Sequence, residues 1–309
     1  MTLVVTGVAD PAPGIRGLTL AATDGSRLPG FIPGSHLVVR VGGRANAYSL
    51  TSDGFDPAEY AISVLRVADG RGGSRLLHTL AVGETLSARP PRSAFPPIAR
   101  AAKHLLVAGG IGVTPILSHL RAARRWGREV QVLYTFRAGH GAHVPEVADL
   151  GGSAAELITD RAAFTQRLTA ALTAQPLGTH LYVCGPPAMI DYVVAAAATA
   201  GWPRSRIHFE RFRDDALGAG EPFTVALTES GRTVAVPSGT SLLDALETSG
   251  IRIPSLCRQG VCGECRTPLG GGLPIHRDLY LSDREKESGA AIMPCVSRAR
   301  GGTVLEVPL

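Results

Sequence analysis

The sequence lacks any apolar run approaching the ~20 residues needed to cross a bilayer, and its start, MTLVVTGVADPAP, lacks the basic n-region and apolar core of a signal peptide. A cytosolic protein with no membrane role is therefore expected. Clustered basic residues are missing too. The arginines stand mostly singly among glycine and aliphatic residues, without the electrostatic footprint of nucleic-acid binding. No internal repeat or low-complexity segment is apparent. Charged residues amount to only 18% against 45% hydrophobic, which is ordinary for a folded soluble chain and excludes a largely disordered one.

What is present is length, glycine and an uneven distribution of charge and cysteine. At a usual ~100 to 200 residues per domain, 309 residues argue for two or three domains, and 37 glycines with 22 prolines imply many tight turns. Residues 1 to 220 hold 22 Lys+Arg against 16 Asp+Glu, whereas residues 221 to 309 hold 9 against 10, so the first part is basic and the second slightly acidic. Of the five cysteines, Cys184 stands alone, while Cys257, Cys262, Cys265 and Cys295 crowd the last fifth of the chain. In a reducing compartment that crowding argues for metal or cluster ligation over disulfides.

Up to about residue 98 the chain reads as short strands separated by turns: Leu3 to Val8, Leu18 to Ala22, His36 to Val41, Ala47 to Thr51, Tyr60 to Val67 and Thr85 to Ala88. One helical stretch, Ser74 to Leu80, interrupts them, and the even spacing predicts a small antiparallel barrel. From about 101 to 213, strands (His104 to Ala108, Val130 to Thr135, Leu181 to Val183, Arg206 to Phe209) alternate with helices (Thr114 to Trp126, Ala162 to Leu172, Pro187 to Ala200). Such alternation predicts an open α/β sheet. The polar DDALGAGE at 214–221 reads as a linker. A hairpin-like pair, Phe223 to Leu227 and Thr233 to Val236, follows, then a helix from Leu242 to Thr248 opened by Ser241 and closed by Gly250.

Cys257, Cys262 and Cys265 form C-x4-C-x2-C, with Cys295 following after 29 intervening residues. That is the plant-type [2Fe–2S] spacing. Three thiolates on one short loop need a tightly wrapped backbone, and Gly260 and Gly263 remove side chains that would block it. The alternative is structural zinc, which normally takes paired C-x2-C or Cys/His sets and fits the x4 gap poorly. His276 lies in the same region and reads as a surface or hydrogen-bonding residue.

The last ~90 residues resemble a plant-type ferredoxin, and the order barrel, α/β domain, ferredoxin resembles the phthalate dioxygenase reductase and vanillate demethylase reductase family over essentially the whole chain. The resemblance implies a multidomain protein: an antiparallel β-barrel flavin domain (1–100), a ferredoxin reductase-like α/β nicotinamide domain (101–213), a linker (214–221) and an α+β β-grasp ferredoxin domain (222–309).

Gly109, Gly110, Gly112, Thr114 and Pro115 lie at a strand-to-helix turn, where backbone N–H groups can approach a phosphate. Cys184, Gly185, Pro186 and Met189 form a second such turn about 70 residues on. These segments resemble the GGxGxTP and CGPxxM motifs, which implies pyrophosphate at the first and nicotinamide beside the second. Cys184 is then near the hydride-transfer site, the alternative being a buried strand-end thiol without ligand contact. The resemblance makes Cys184, Thr114 and Tyr48 the catalytic candidates. Only Arg137 is available near a ribose 2′ position, so NADH is expected, with NADPH possible.

Tyr48 and Ser49 in NAYSLTS resemble the RxYS flavin motif, with Asn46 where the motif has arginine and Arg44 the nearest guanidinium. Asparagine cannot supply bidentate phosphate contacts, so the phosphate is expected at Gly72, Gly73 and Ser74, which otherwise read as a simple helix cap. FMN is expected over FAD. The HFERF segment ending in Phe212 resembles HFESF, which implies an aromatic residue over the flavin, unless Phe212 only packs. The reading is an electron-transfer reductase, a monomer, passing electrons from NAD(P)H through FMN and a [2Fe–2S] cluster to a terminal oxygenase, either a Rieske non-haem iron enzyme or a haem monooxygenase. No haem motif or mononuclear-iron ligand set is apparent, against self-contained oxygenation. The alternative is a catalytically silent binding or regulatory subunit that keeps the folds.

Overall fold

The computed structural model describes the chain except residues 42–43, 69–71, 94, 213–219, 256–257, 259, 261–262 and 279, together with the side chains of 41, 44 and 45. Among the described residues the chain divides into two compact units. One comprises Met1–Arg44 and Tyr48–Phe212, the other the C-terminal portion to Leu309 together with Ala45–Ala47.

The first unit begins with β1 (Thr2–Ala12), β2 (Ile15–Ala22), β3 (Ser35–Val41), β4 (Arg44–Ser49), β5 (Glu59–Leu65), the single-turn α1 (Gly73–Leu77), β6 (Thr85–Ala88) and β7 (Arg92–Ser93). Alternation drives them together: Leu3 and Val5, Leu18 and Leu20, Leu37 and Val39, and Tyr60, Ile62 and Val64 all point to one interior, where each is buried. Burying such a side chain contributes ~1.5–3 kcal/mol. The strands follow the order β4-β3-β6-β1-β2-β5. Beyond β4, Leu50 bridges back to Ile62 of β5, and Thr51 N–H donates to the Ala61 carbonyl at 2.8 Å, which closes the sheet into the expected barrel. β1 outruns its expected end at Val8, because register shifts between Val5 and Gly7 and between Ala9 and Ala12 carry the pairing past Asp10 and Pro11.

The same unit continues with β8 (Lys103–Gly109), α2 (Val113–Trp126), β9 (Val130–Thr135), α3 (Val144–Gly151), β10 (Ala155–Ile158), α4 (Arg161–Thr173), β11 (Thr179–Cys184), α5 (Pro187–Thr199) and β12 (Ile207–Glu210). All five strands pair in parallel, in the order β10-β9-β8-β11-β12. Strands covered on both faces must be apolar throughout. In β8, Leu106 and Ala108 face the core shared with α2 and α3, whereas Leu105 and Val107 face the core shared with α4 and α5. Leu106→Ala should cost ~2–5 kcal/mol. The chain turns outward in opposite directions from β8, to β9 on one side and β11 on the other, so the β8/β11 boundary is the topological switch point where such sheets take ligands at their carboxyl ends.

The second unit holds β13 (Phe223–Leu227), β14 (Arg232–Val236), α6 (Leu242–Thr248), β15 (Thr267–Pro268), β16 (Pro274–Ile275), α7 (Asp283–Ser288), β17 (Ala291–Ile292), β18 (Arg298–Ala299) and β19 (Val304–Val307). β13 pairs antiparallel with β14 and parallel with β19, and Leu242, Ala245 and Leu246 of α6 pack on that sheet. Ser241 Oγ caps α6 by accepting from Asp244 N–H at 3.0 Å. A second, smaller core gathers Leu243, Leu281, Met293 and Val296 around Cys265 and Cys295.

Candidate functional site

The glycine turn after β8 and the Cys184–Gly185 turn after β11 meet backbone to backbone at the switch point. Ala108 and Cys184 are register partners. A Cβ placed on Gly112 would lie 2.3 Å from the Cys184 carbonyl oxygen and 2.6 Å from Gly185 N, and one on Gly185 would lie 3.0 Å from Gly109 Cα. One on Gly109 would meet Met189 Sδ at 2.5 Å and Pro186 Cδ at 2.8 Å. Gly109, Gly112 and Gly185 are thus glycine because the two turns touch. Gly110 differs: it has φ +52°, and a Cβ there would have no described atom within 4 Å, so its backbone faces open space. An open, left-handed glycine beside a helix start fits an approaching phosphate. Thr114, just inside α2, is buried and donates its hydroxyl to the Ile111 carbonyl at 3.0 Å, closing the turn.

Cys184 is fully buried. Burial, reinforced by the neighbouring Glu210 carboxyl, pushes its thiol well above the ordinary value. Glu210 is its register partner on β12, and burial raises that carboxyl to about 8. Its Oε2 has no hydrogen-bond partner among the described residues. Both shifts favour the protonated forms at neutral pH, so the structure does not hold Cys184 as a thiolate. Sequence reasoning missed Glu210 although it stands in the HFERF segment; an ionisable residue in an otherwise apolar strand was the available signal.

Helix α2 joins this turn to the barrel. Ser118 Oγ accepts from Gly34 N–H at 2.9 Å, His119 Nε2 bonds the Phe95 carbonyl at 2.9 Å, and Arg121 Nε donates to the Thr51 carbonyl at 2.9 Å. Arg125 pairs with Asp53. Gly34 has no alternative residue, since its Cβ would lie 2.0 Å from the Phe95 carbonyl oxygen. The helix opened by the glycine turn is thereby held rigidly on the barrel, and β5 approaches that turn directly.

On the barrel, Asn46, Tyr48 and Ser49 share β4, with Ser49 buried and Tyr48 packed partly against the barrel core. Gly72, φ +92°, caps α1, and Ser74 Oγ accepts from Val67 N–H at 3.2 Å, which leaves its own proton for another acceptor. With only five residues in α1, backbone N–H groups matter there and the helix dipole adds little. Arg137 is exposed just beyond β9, and Phe212 packs, half-buried, against the core that contains Cys184.

In the second unit, Cys257 and Cys262 lie outside the described residues. Cys265 and Cys295 are buried, with sulfurs 3.3 Å apart and no disulfide between them. Two thiols that close, on separate segments, fit a shared metal centre. Gly260 and Gly263 take φ +70° and +78°, and a Cβ on either would strike Val296 or the Tyr280 ring, so both positions require glycine. His276, expected as a surface or hydrogen-bonding residue, has a side chain only 11% exposed, and neither ring nitrogen has a hydrogen-bond partner among the described residues.

Comparison with known proteins agrees with this geometry. The family model of the 2Fe-2S iron-sulfur cluster binding domain matches residues 225–300, and that of the N-terminal domain of dimethylamine monooxygenase subunit DmmA-like proteins matches residues 84–207. The heme-dependent oxidative N-demethylase beta subunit of Ectopseudomonas mendocina is 41% identical, over 97% of this chain and 96% of its own. The phthalate dioxygenase reductase of Burkholderia cepacia is 37% identical, over 93% of this chain and 90% of its own. A solved phthalate dioxygenase reductase covers all of this chain and 98% of its own at TM-score 0.73 and 34% identity. The chain belongs to the phthalate dioxygenase reductase family. As a member it is an NAD(H)-dependent oxidoreductase that uses FMN and a [2Fe–2S] cluster. An intact self-sufficient cytochrome P450 monooxygenase also matches over this whole chain and 41% of its own, at TM-score 0.79 and 33% identity. Among the described residues, no helix is long and apolar enough to cross a membrane.

Proposed function

We propose that this reductase works as a monomer in the cytoplasm and delivers single electrons to a separate terminal oxygenase. The observation that carries the reading is the buried Cys265–Cys295 pair, 3.3 Å between sulfurs, in a chain whose other unit presents an open glycine turn at a sheet switch point. A haem-dependent demethylase relative at 41% identity favours a haem oxygenase as acceptor over a Rieske one.

The proposed roles follow from the chemistry of each position. When bound, FMN would supply the exchange between a hydride pair from NADH and single electrons for the cluster. Gly110 leaves room for the pyrophosphate, Gly109 and Gly112 let the two turns touch beside it, and Thr114 fixes their turn. Gly185 and Pro186 seat the nicotinamide, with the buried Cys184 shaping the turn behind them. Tyr48, Ser49 and Phe212 hold the isoalloxazine, Gly72, Gly73 and Ser74 its phosphate, with Asn46 adding a neutral contact. Arg137 meets the adenosine ribose. Cys257, Cys262, Cys265 and Cys295 ligate the iron. The division proposed is a flavin domain to residue 100, a nicotinamide domain to 213, a linker at 214–221 and a ferredoxin domain from 222. Cys257→Ser tests the assignment: iron and acceptor reduction should be lost while NADH still bleaches the flavin. Full acceptor reduction without iron would refute it.

A further inference from the structure

The cluster ligands sit on two separate stretches of chain, and one buried carboxylate ties those stretches together. Asp278 is 2% exposed. Its Oδ2 accepts from the N–H groups of Leu281 at 2.8 Å and Tyr280 at 3.2 Å, and its Oδ1 accepts from Ser297 Oγ at 3.2 Å. Ser297, fully buried two residues past Cys295, also accepts from Arg277 N–H at 3.1 Å. The imidazole of His276 brings Nδ1 to 3.6 Å from Asp278 Oδ1, and Lys286 Nζ donates to the Asp278 carbonyl at 2.8 Å.

The strap that Asp278 folds is the wall against which Gly260 and Gly263 pack. A Cβ on Gly260, between Cys257 and Cys262, would lie 3.1 Å from Asp278 Cα and 2.7 Å from Val296 Cγ2. One on Gly263, between Cys262 and Cys265, would lie 2.0 Å from the Tyr280 ring. Tyr280 is in place because its own N–H is bonded to Asp278. One carboxylate therefore sets the strap beside Gly260 and Gly263 with one oxygen and the Cys295 segment with the other.

We propose that Asp278 is a positioning residue for the [2Fe–2S] centre, which assembles the ligand segments and places a buried negative charge beside the cluster. The proposal rests on the cluster reading above. Groups behind the ligands of a metal site typically change metal retention ~10–100-fold when lost. A fixed negative charge opposes addition of an electron to the cluster, so its removal raises the reduction potential.

Two substitutions separate shape from charge. In Asp278→Asn the amide oxygen can still accept from both backbone N–H groups, and its NH2 can donate to Ser297 Oγ. This variant should keep iron at the wild-type stoichiometry and show a more positive midpoint potential, with altered EPR g-values. Asp278→Ala should lose iron to a chelator about 10–100-fold faster than wild type, with bound flavin serving as the folding control. An Asp278→Asn cluster at the wild-type potential, or an Asp278→Ala protein that holds iron as long as wild type, would overturn the proposal. Wild-type protein reconstituted without a [2Fe–2S] spectrum would overturn the cluster reading and the proposal with it.

Discussion

Gly112→Ala is the most discriminating perturbation of the nucleotide site. Gly112 has φ −62°, which any residue adopts, so the substitution meets no backbone strain and its effect is purely steric. The new methyl carbon would lie 2.3 Å from the Cys184 carbonyl oxygen and 2.4 Å from its carbonyl carbon. Ordinary contact needs ~3.5 Å, so the two turns must separate by roughly 1 Å. Neither contact is a flexible side chain that can swing away. Overpacking of this kind costs ~1–3 kcal/mol of stability, and a 1 Å displacement of a reacting pair costs ~100-fold in rate. Anaerobic stopped-flow mixing with NADH should show flavin bleaching slowed about 100-fold, while dithionite still reduces the cluster normally. The companion change Gly110→Ala meets no described atom but places a side chain at φ +52°, costing ~1–2 kcal/mol, and should weaken NADH binding by filling the space left for phosphate. If Gly112→Ala bleaches flavin at the wild-type rate, the close crossing of the turns does not position the nicotinamide.

Three further outcomes are expected. Heat extraction should release FMN at one per chain, and stoichiometric FAD would contradict the assignment of the phosphate to Gly72–Ser74. Burial lowers His119 to about 3 and His208 and His36 to about 4, so the folded state binds fewer protons than the unfolded one. Their contribution is present above pH ~6.5 and is lost as pH falls through those values; urea midpoints should drop between about pH 6.5 and 4, and a flat profile would count against the buried histidines. Glu210 works in the opposite sense: raised to about 8, its contribution is present below pH ~4.5 and is lost as pH rises toward 8. Glu210→Gln should then gain stability relative to wild type at pH 8–9, as measured by the shift in Tm.

The features legible in the sequence are those written in local pattern. Period-2 alternation marks the barrel strands, and spacing with glycine placement marks the cluster loop. α3 and β10 escape such a reading, because Pro145 and the Gly151–Gly152 pair look like loop. Proline is in fact tolerated in a first helical turn, where it stands in α3. α7 buries no residue, so it has no apolar period to detect, yet its capping box of Ser282 and Glu285 is a readable start signal. The touching turns at Gly112 and Cys184 and the Asp278 network join residues distant in sequence, and no local pattern encodes them.

The central claim is a direction of flow, from NADH to flavin to [2Fe–2S], and rapid-scan mixing of the holoprotein with NADH under anaerobic conditions tests it most directly. The account predicts that flavin absorbance falls first and that the reduced-cluster signal grows afterwards. It further predicts that protein stripped of flavin shows no cluster reduction by NADH at all. A cluster reduced before the flavin, or reduced by NADH in the stripped protein, would contradict the account.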